Sequence, residues 1–291
     1  MTLSLVQSIA LLLLAPHAWG QSPGASQAAT GSNEADDTTS PPSPLPRACP
    51  TDCATEYFQN VPEEWESDYR RVMDNLTPLL GFYDIDIVAW PSSEPPPTLD
   101  GHSVQPGQYV GGRDDQRGRH RTLMVLEIDL NELRNQHAHR LSVIAHEYFH
   151  VYQRNRNPSL RGRFDIKWLI EGSAAVFESM YLDEYEREPN YYQTAQLRHA
   201  DPQSFGAPME HYENGEVNYG TSTAMVLLAC KDVGFQRMID FWKRRPTNQN
   251  WKRLFEDTFG MSVEALYAAG QAGGLDELKL SAMGSLKTIR Y

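Results

Sequence analysis

The residues of this chain whose types and spacing could do chemistry are the run His146-Glu147-Tyr148-Phe149-His150 and the later Glu171, inside Trp168-Leu169-Ile170-Glu171-Gly172. Two histidines four apart on a helix lie on one face, one turn from each other, so both imidazoles can reach one ion. Glu147 follows the first histidine and points to the side of that face, where a metal-bound water would sit. Glu171 opens a second apolar segment a short loop downstream and is the natural third ligand. Hydrolysis at a zinc ion needs this set: two neutral nitrogen ligands, a carboxylate ligand from elsewhere, and a free carboxylate beside the water. The expectation is one Zn2+ per chain, held by His146, His150 and Glu171, with Glu147 as general base.

The five-letter pattern alone is weak, because chance matches occur on ordinary core helices. Its surroundings strengthen it. Leu141, Val143, Ile144, Ala145, Tyr148, Phe149 and Val151 make an apolar surface wide enough to bury the helix on most sides. Buried histidines and a buried glutamate then need polar partners, and a metal supplies them. The segment 168–183 is also mostly apolar, yet it carries Glu171 and Glu178. Its small residues Gly172, Ser173, Ala174 and Ala175 permit close approach to a neighbour, which zinc bonds of roughly 2.0–2.2 Å demand.

The positioning elements follow from periodicity. The ligand helix is expected over roughly 140–154 and its partner over 168–183. Upstream, residues 54–80 carry helical spacing and Asp84–Trp90 alternates like a strand. Residues 91–107 read as loop, and 109–112 and 122–128 as a hairpin across the polar turn 114–120. Residues 222–270 read as three or four short helices broken at Gly234, Pro246 and Gly260. The expected class is α+β: a small mixed β-sheet in the N-terminal half, a helical half after it, and the zinc site between them.

The runs Val143–His150 and Trp168–Glu178 resemble the gluzincin superfamily of zinc metallopeptidases. They stand nearest to the catalytic domain of its zinc aminopeptidase and leukotriene-hydrolase relatives. Those proteins show H-E-x-x-H and then W-x-x-E-G-x-x-x-x-x-E about twenty residues on. The resemblance implies a thermolysin-like catalytic domain with His146, His150 and Glu171 as zinc ligands and Glu147 as base. It also implies that Glu178 hydrogen-bonds a ligating histidine. Ala175 stands where the thermolysin branch has an aspartate. Tyr219-Gly220-Thr221-Ser222, the apolar run Met225–Cys230 and Gly234 match the relatives' tyrosine, helix and glycine. In those relatives the tyrosine hydroxyl stabilises the oxyanion of the tetrahedral intermediate. Ser222 departs from the relatives' usual glycine, and Tyr212-Glu213-Asn214-Gly215 fits Y-x-x-G better, so Tyr212 stays open beside the favoured Tyr219.

The G-x-M-E-N segment, whose glutamate holds the substrate's free amine in aminopeptidase relatives, has no counterpart. Gln108-Tyr109-Val110-Gly111-Gly112-Arg113 stands in its place without a glutamate. The expected activity is therefore hydrolysis of peptide bonds in a peptide or protein substrate, as an endopeptidase rather than an aminopeptidase. An extended substrate would pair with the edge strand. The alternative is a non-catalytic zinc-binding domain that recognises peptide; Glu147, needed for chemistry and not for ligation, speaks against it.

With 291 residues and a hydrophobic fraction of 40%, the chain can bury one sizeable core. Residues 1–20 read as a signal peptide, from the apolar run Leu3–Leu14, Pro16 and the small-x-small pattern Ala18-Trp19-Gly20. That run is too short for a comfortable span, so stable membrane insertion is not expected. Residues 21–47 form a Ser/Pro-rich disordered linker, and 48–291 the metallopeptidase domain. The protein is expected to be secreted, or periplasmic if bacterial. In that setting Cys49 and Cys53 are disulfide candidates. Cys230 reads as a small buried hydrophobe. The net charge of −12 argues against a nucleic-acid partner. Arg154, Arg156, Arg161 and Arg163 fall between the two ligand segments and read as a solvated loop, with attraction of acidic substrate groups as the sharper alternative. His137, His139 and His211 read as capping or surface residues.

Overall fold

A computed structural model describes residues 54–291, apart from 117, 161–163, 190, 192–196, 213–215 and 274. The expected signal segment, the linker and the Cys49–Cys53 pair lie outside the described residues. In chain order the elements are β1 (Ala54–Phe58), α1 (Glu63–Leu80), β2 (Ile85–Pro91), β3 (Thr98–Leu99), β4 (His102–Ser103), β5 (Gln108–Asp114) and β6 (His120–Ile128). There follow α2 (Leu130–Asn135), α3 (His137–Arg156), α4 (Lys167–Tyr181), α5 (Glu216–Cys230), α6 (Gln236–Lys243), α7 (Trp251–Phe259) and α8 (Val263–Gln271). The fold is mixed α+β, with a small sheet in the first half and helices in the second. Among the described residues no helix is long and apolar enough to cross a membrane.

The main sheet has the order β1-β2-β6-β5. β1, β2 and β6 are parallel, while β5 runs antiparallel to β6 and is the edge strand among the described residues. The α1 crossover is what makes β1 and β2 parallel, since parallel neighbours need a connection longer than a tight turn. β2 is buried along its whole length. Ile85, Ile87 and Ala89 face the helices, whereas Val88 and Trp90 join Leu99, Val104, Leu123 and Val125 in a smaller core on the other face. Asp86 lies on that second face at 1% exposure. Arg113 Nε donates to its Oδ2 at 2.6 Å and Arg121 Nε to its Oδ1 at 3.0 Å, so the buried charge is paired from two neighbouring strands.

Residues 54–80 are not helical throughout, contrary to their spacing. Ala54–Phe58 is a strand in register with β2 from Ala54↔Ile85 to Phe58↔Ala89, and the helix begins at Glu63. Asn60 adopts a left-handed φ of 48° and Pro62 sits at the N-cap, which separates the two elements. The strand hydrogen bonds come from a segment some thirty residues away, so local periodicity carried no sign of them. Within 91–107, expected as loop, β3 and β4 form a two-residue ladder. α3 is longer than expected at both ends, and α4 continues into a π-helical turn, Leu182–Glu186. The hairpin, and the short helices after 222, fall where periodicity puts them. Residues beyond α8 form 3-10 turns that bury Leu280, Met283 and Leu286 against the main core.

α4 and α5 touch backbone to backbone. A Cβ added at Gly172 would collide with the Ser222 carbonyl group, its carbon at 2.7 Å, and meet Val226 Cγ2 at 3.0 Å. This contact brings Tyr219, one turn before Ser222, close to Glu171.

Candidate metal centre

α3 is buried on most of its surface, and His146, Glu147 and His150 are 5%, 1% and 8% exposed. α4 lies against it and contributes Glu171. His146 Nε2 and His150 Nε2 are 3.0 Å apart, and Glu171 Oε2 is 3.4 Å from the first and 3.3 Å from the second. The other ring nitrogens fix the tautomers. His146 Nδ1 lies 2.7 Å from Glu178 Oε2, a carboxylate that can only accept, so this nitrogen carries hydrogen. His150 Nδ1 lies 2.6 Å from Gln153 Oε1. The orientation of that amide is set by its far end, where Nε2 donates to Ile170 O at 3.0 Å and to Ser173 Oγ at 2.8 Å. His150 Nδ1 therefore also carries hydrogen. With both rings neutral, both Nε2 atoms turn lone pairs toward each other and toward a carboxylate oxygen.

Three lone-pair atoms meeting at one point repel one another unless a positive charge lies among them. His146, His150 and Glu171 could thus hold a metal ion, and their two imidazoles and one carboxylate suit zinc and its neighbours among divalent metals. The electrostatics of the cluster make the same demand for positive charge. Burial works against a charged His146, but hydrogen bonds to Glu171 and Glu178 outweigh it and hold its pKa well above the ordinary imidazole value. Burial would raise Glu171, yet the His150 charge and hydrogen bonds from both histidines hold it well below the usual carboxylate range. A proton and a metal ion are alternative occupants of this point.

Glu147 is differently placed. Among the described residues, neither of its carboxylate oxygens has a hydrogen-bond partner. Burial pushes its pKa up to about 7, against the opposing pull of the His150 and His146 charges. A buried carboxylate without partners is costly, and a pKa near neutrality suits a group that takes and returns a proton. The Tyr219 hydroxyl donates to Glu171 Oε2 at 3.2 Å, and its ring centroid is 6.4 Å from that of His146. Tyr212 packs edge-on against Tyr219 with centroids 6.5 Å apart. Burial and then the Glu171 charge hold both phenols well above their ordinary value, so both stay protonated donors. The structure thus brings both tyrosine candidates together but gives Tyr219 the direct contact with the ligand cluster.

Several residues singled out in the sequence lie elsewhere. Arg154 continues the histidine face one turn further and approaches β5, where a Cβ on Gly112 would sit 3.1 Å from its Nη2. The Arg156 guanidinium lies over the Tyr152 ring at 5.6 Å, and Arg161 and Arg163 are outside the described residues. His137 lies 3.6 Å from Asp68, His139 hydrogen-bonds Tyr191, and the exposed His211 lies 3.7 Å from Asp165. Cys230 is fully buried, and burial raises its thiol pKa. Sequence reasoning missed Gln153 and Ser173. The available signal was an amide three positions after His150, on the same side of the helix. No family model matches the chain, and no curated protein matches it.

Proposed function

We propose that the chain is a secreted, zinc-dependent peptidase with a gluzincin, thermolysin-like catalytic domain. The observation that carries this reading is the pairing of two features at one place. His146, His150 and Glu171 converge on a point that wants a cation, and Glu147 is buried beside them with both oxygens unpartnered among the described residues. Ligation alone does not need Glu147, but hydrolysis does.

Bound by His146, His150 and Glu171, zinc would supply Lewis acidity toward a carbonyl and would lower the pKa of a water from about 15.7 toward about 7. Glu147 takes the proton of the attacking water and passes it to the leaving amine. Tyr219 donates its hydroxyl hydrogen to the developing oxyanion, a role open to it because the phenol remains protonated. Glu178 holds His146 by its Nδ1 and keeps the ring from turning. As the edge strand among the described residues, β5 offers backbone groups to an extended substrate. The absence of a glutamate from 108–113 supports internal cleavage over removal of N-terminal residues.

The test is incubation of the purified protein with a peptide library, with and without chelator, read by mass spectrometry. Chelator-sensitive internal cuts are expected. Cleavage that survives chelation, or none under zinc-replete conditions, would overturn the proposal. Export rests on the Leu3–Leu14 run and Ala18-Trp19-Gly20. N-terminal sequencing of protein from its native host should begin after residue 20; cytoplasmic protein retaining Met1 would sink export and the Cys49–Cys53 disulfide with it.

A further inference from the structure

We infer that Gln153 is a positioning residue of the metal centre, one side chain that sets the tautomer of His150 and locks the histidine helix to the glutamate helix. The inference rests on reading the cluster as a metal site. Gln153 is completely buried. Its three hydrogen bonds use its whole polar end: Oε1 accepts from His150 Nδ1 at 2.6 Å, and Nε2 donates to Ile170 O at 3.0 Å and Ser173 Oγ at 2.8 Å. Ile170 is the residue directly before Glu171. One amide therefore grips the ring of one ligand and the backbone beside another. Ser173 Oγ in turn donates to Leu169 O at 2.5 Å, so the far end of the bridge is itself anchored on α4.

The physical need for such a bridge is plain. α3 and α4 are separate elements joined through 157–166, and the ligand atoms they carry must meet within a few tenths of an ångström. His146 is held across the helix pair by the Glu178 carboxylate, which can only accept and so dictates the tautomer by itself. An amide can present either end to His150. What prevents the wrong end is the Ile170 carbonyl, which accepts only and claims the NH2. If the amide were reversed, His150 would keep its hydrogen on Nε2 and present no lone pair to the cluster. The α3–α4 contact thus enforces the ligand's chemistry through Gln153.

Zinc affinity measured by competition with a chromophoric chelator tests this, with circular dichroism reporting folding of each metal-free protein. Gln153→Met keeps length and removes every hydrogen bond; it should lose affinity by roughly 10–100-fold, the cost usual for such outer partners, with unchanged helix content. Gln153→Glu restores an acceptor for His150 Nδ1 but no donor for Ile170 O, so it should recover only part of that loss. Long-range proton–nitrogen spectra of histidine-labelled wild type, metal-free and above the pH of imidazole titration, should show His150 protonated on Nδ1. Wild-type affinity in Gln153→Met, or full wild-type affinity in Gln153→Glu, which lacks the donor to α4, overturns the inference. So does a His150 protonated on Nε2 in the wild type, a reading that stands even if Gln153→Met fails to fold. A wild type that binds no zinc overturns the metal centre itself, and the role of Gln153 with it.

Discussion

Glu147 is where binding a metal and using one part company. Among the described residues its oxygens touch no donor, and its burial costs free energy that ligation does not recover. Glu147→Gln should therefore keep its zinc, fold normally and lose turnover by about 10²–10⁴-fold, the usual contribution of a general acid–base group. Wild-type turnover in that variant would exclude the role. His146→Ala and Glu171→Ala should lose bound zinc in metal analysis, and full occupancy in both would remove the ligand assignment. Tyr219→Phe should retain zinc and lose mainly kcat, by about 10²–10³-fold, because its donation matters once charge develops on the carbonyl oxygen. The Tyr219 hydroxyl sits 3.2 Å from Glu171 Oε2, whereas Tyr212 lies behind it against its ring. A large kcat defect in Tyr212→Phe with a mild one in Tyr219→Phe would reverse that assignment.

Between elements, the close approach of α4 to α5 is the one that matters for the site. Gly172 lets α4 lie on α5 with no side chain between them. In a free helix, alanine is favoured over glycine by about 0.8–1.0 kcal/mol. Here the added methyl would run into the Ser222 carbonyl group, which is backbone and cannot swing aside, and overpacking of this kind costs about 1–3 kcal/mol. Gly172→Ala should lower the urea midpoint and weaken zinc binding together, since Glu171 is its neighbour. A variant as stable as wild type would show that the helices can part without harm. In the sequence the small residues after Glu171 pointed to close approach to the histidine helix, whereas Gly172 meets α5. β1 was not legible in the same way, because its hydrogen bonds come from β2, and the spacing that suggested a helix is satisfied only after Pro62.

For the whole molecule, a ligand that binds only the folded state adds stability by mass action, about 2.7 kcal/mol when its concentration is 100 times the dissociation constant. Both ligand helices belong to the main core, so zinc bound there should stabilise the domain as a unit. The melting midpoint should rise with added zinc, fall with chelator and cease to respond in His146→Ala. A midpoint unresponsive to zinc in the wild type would count against the centre.

The sequence by itself determined that His146 and His150 share one helix face, that β2 and the hairpin are strands, and that the sheet precedes the helices. These depend on spacings of two, three or four residues, and backbone geometry turns such spacings into faces without help from the rest of the chain. Tertiary structure alone decided that β1 is a strand, that Asp86 is paired from two neighbouring strands, that Tyr219 rather than Tyr212 touches Glu171, and that Gln153 governs His150. Each of these joins residues distant in sequence or sets the direction of a side chain by what a second element presents to it. A buried polar group takes whichever partner the packed fold brings within reach, and only packing specifies that partner.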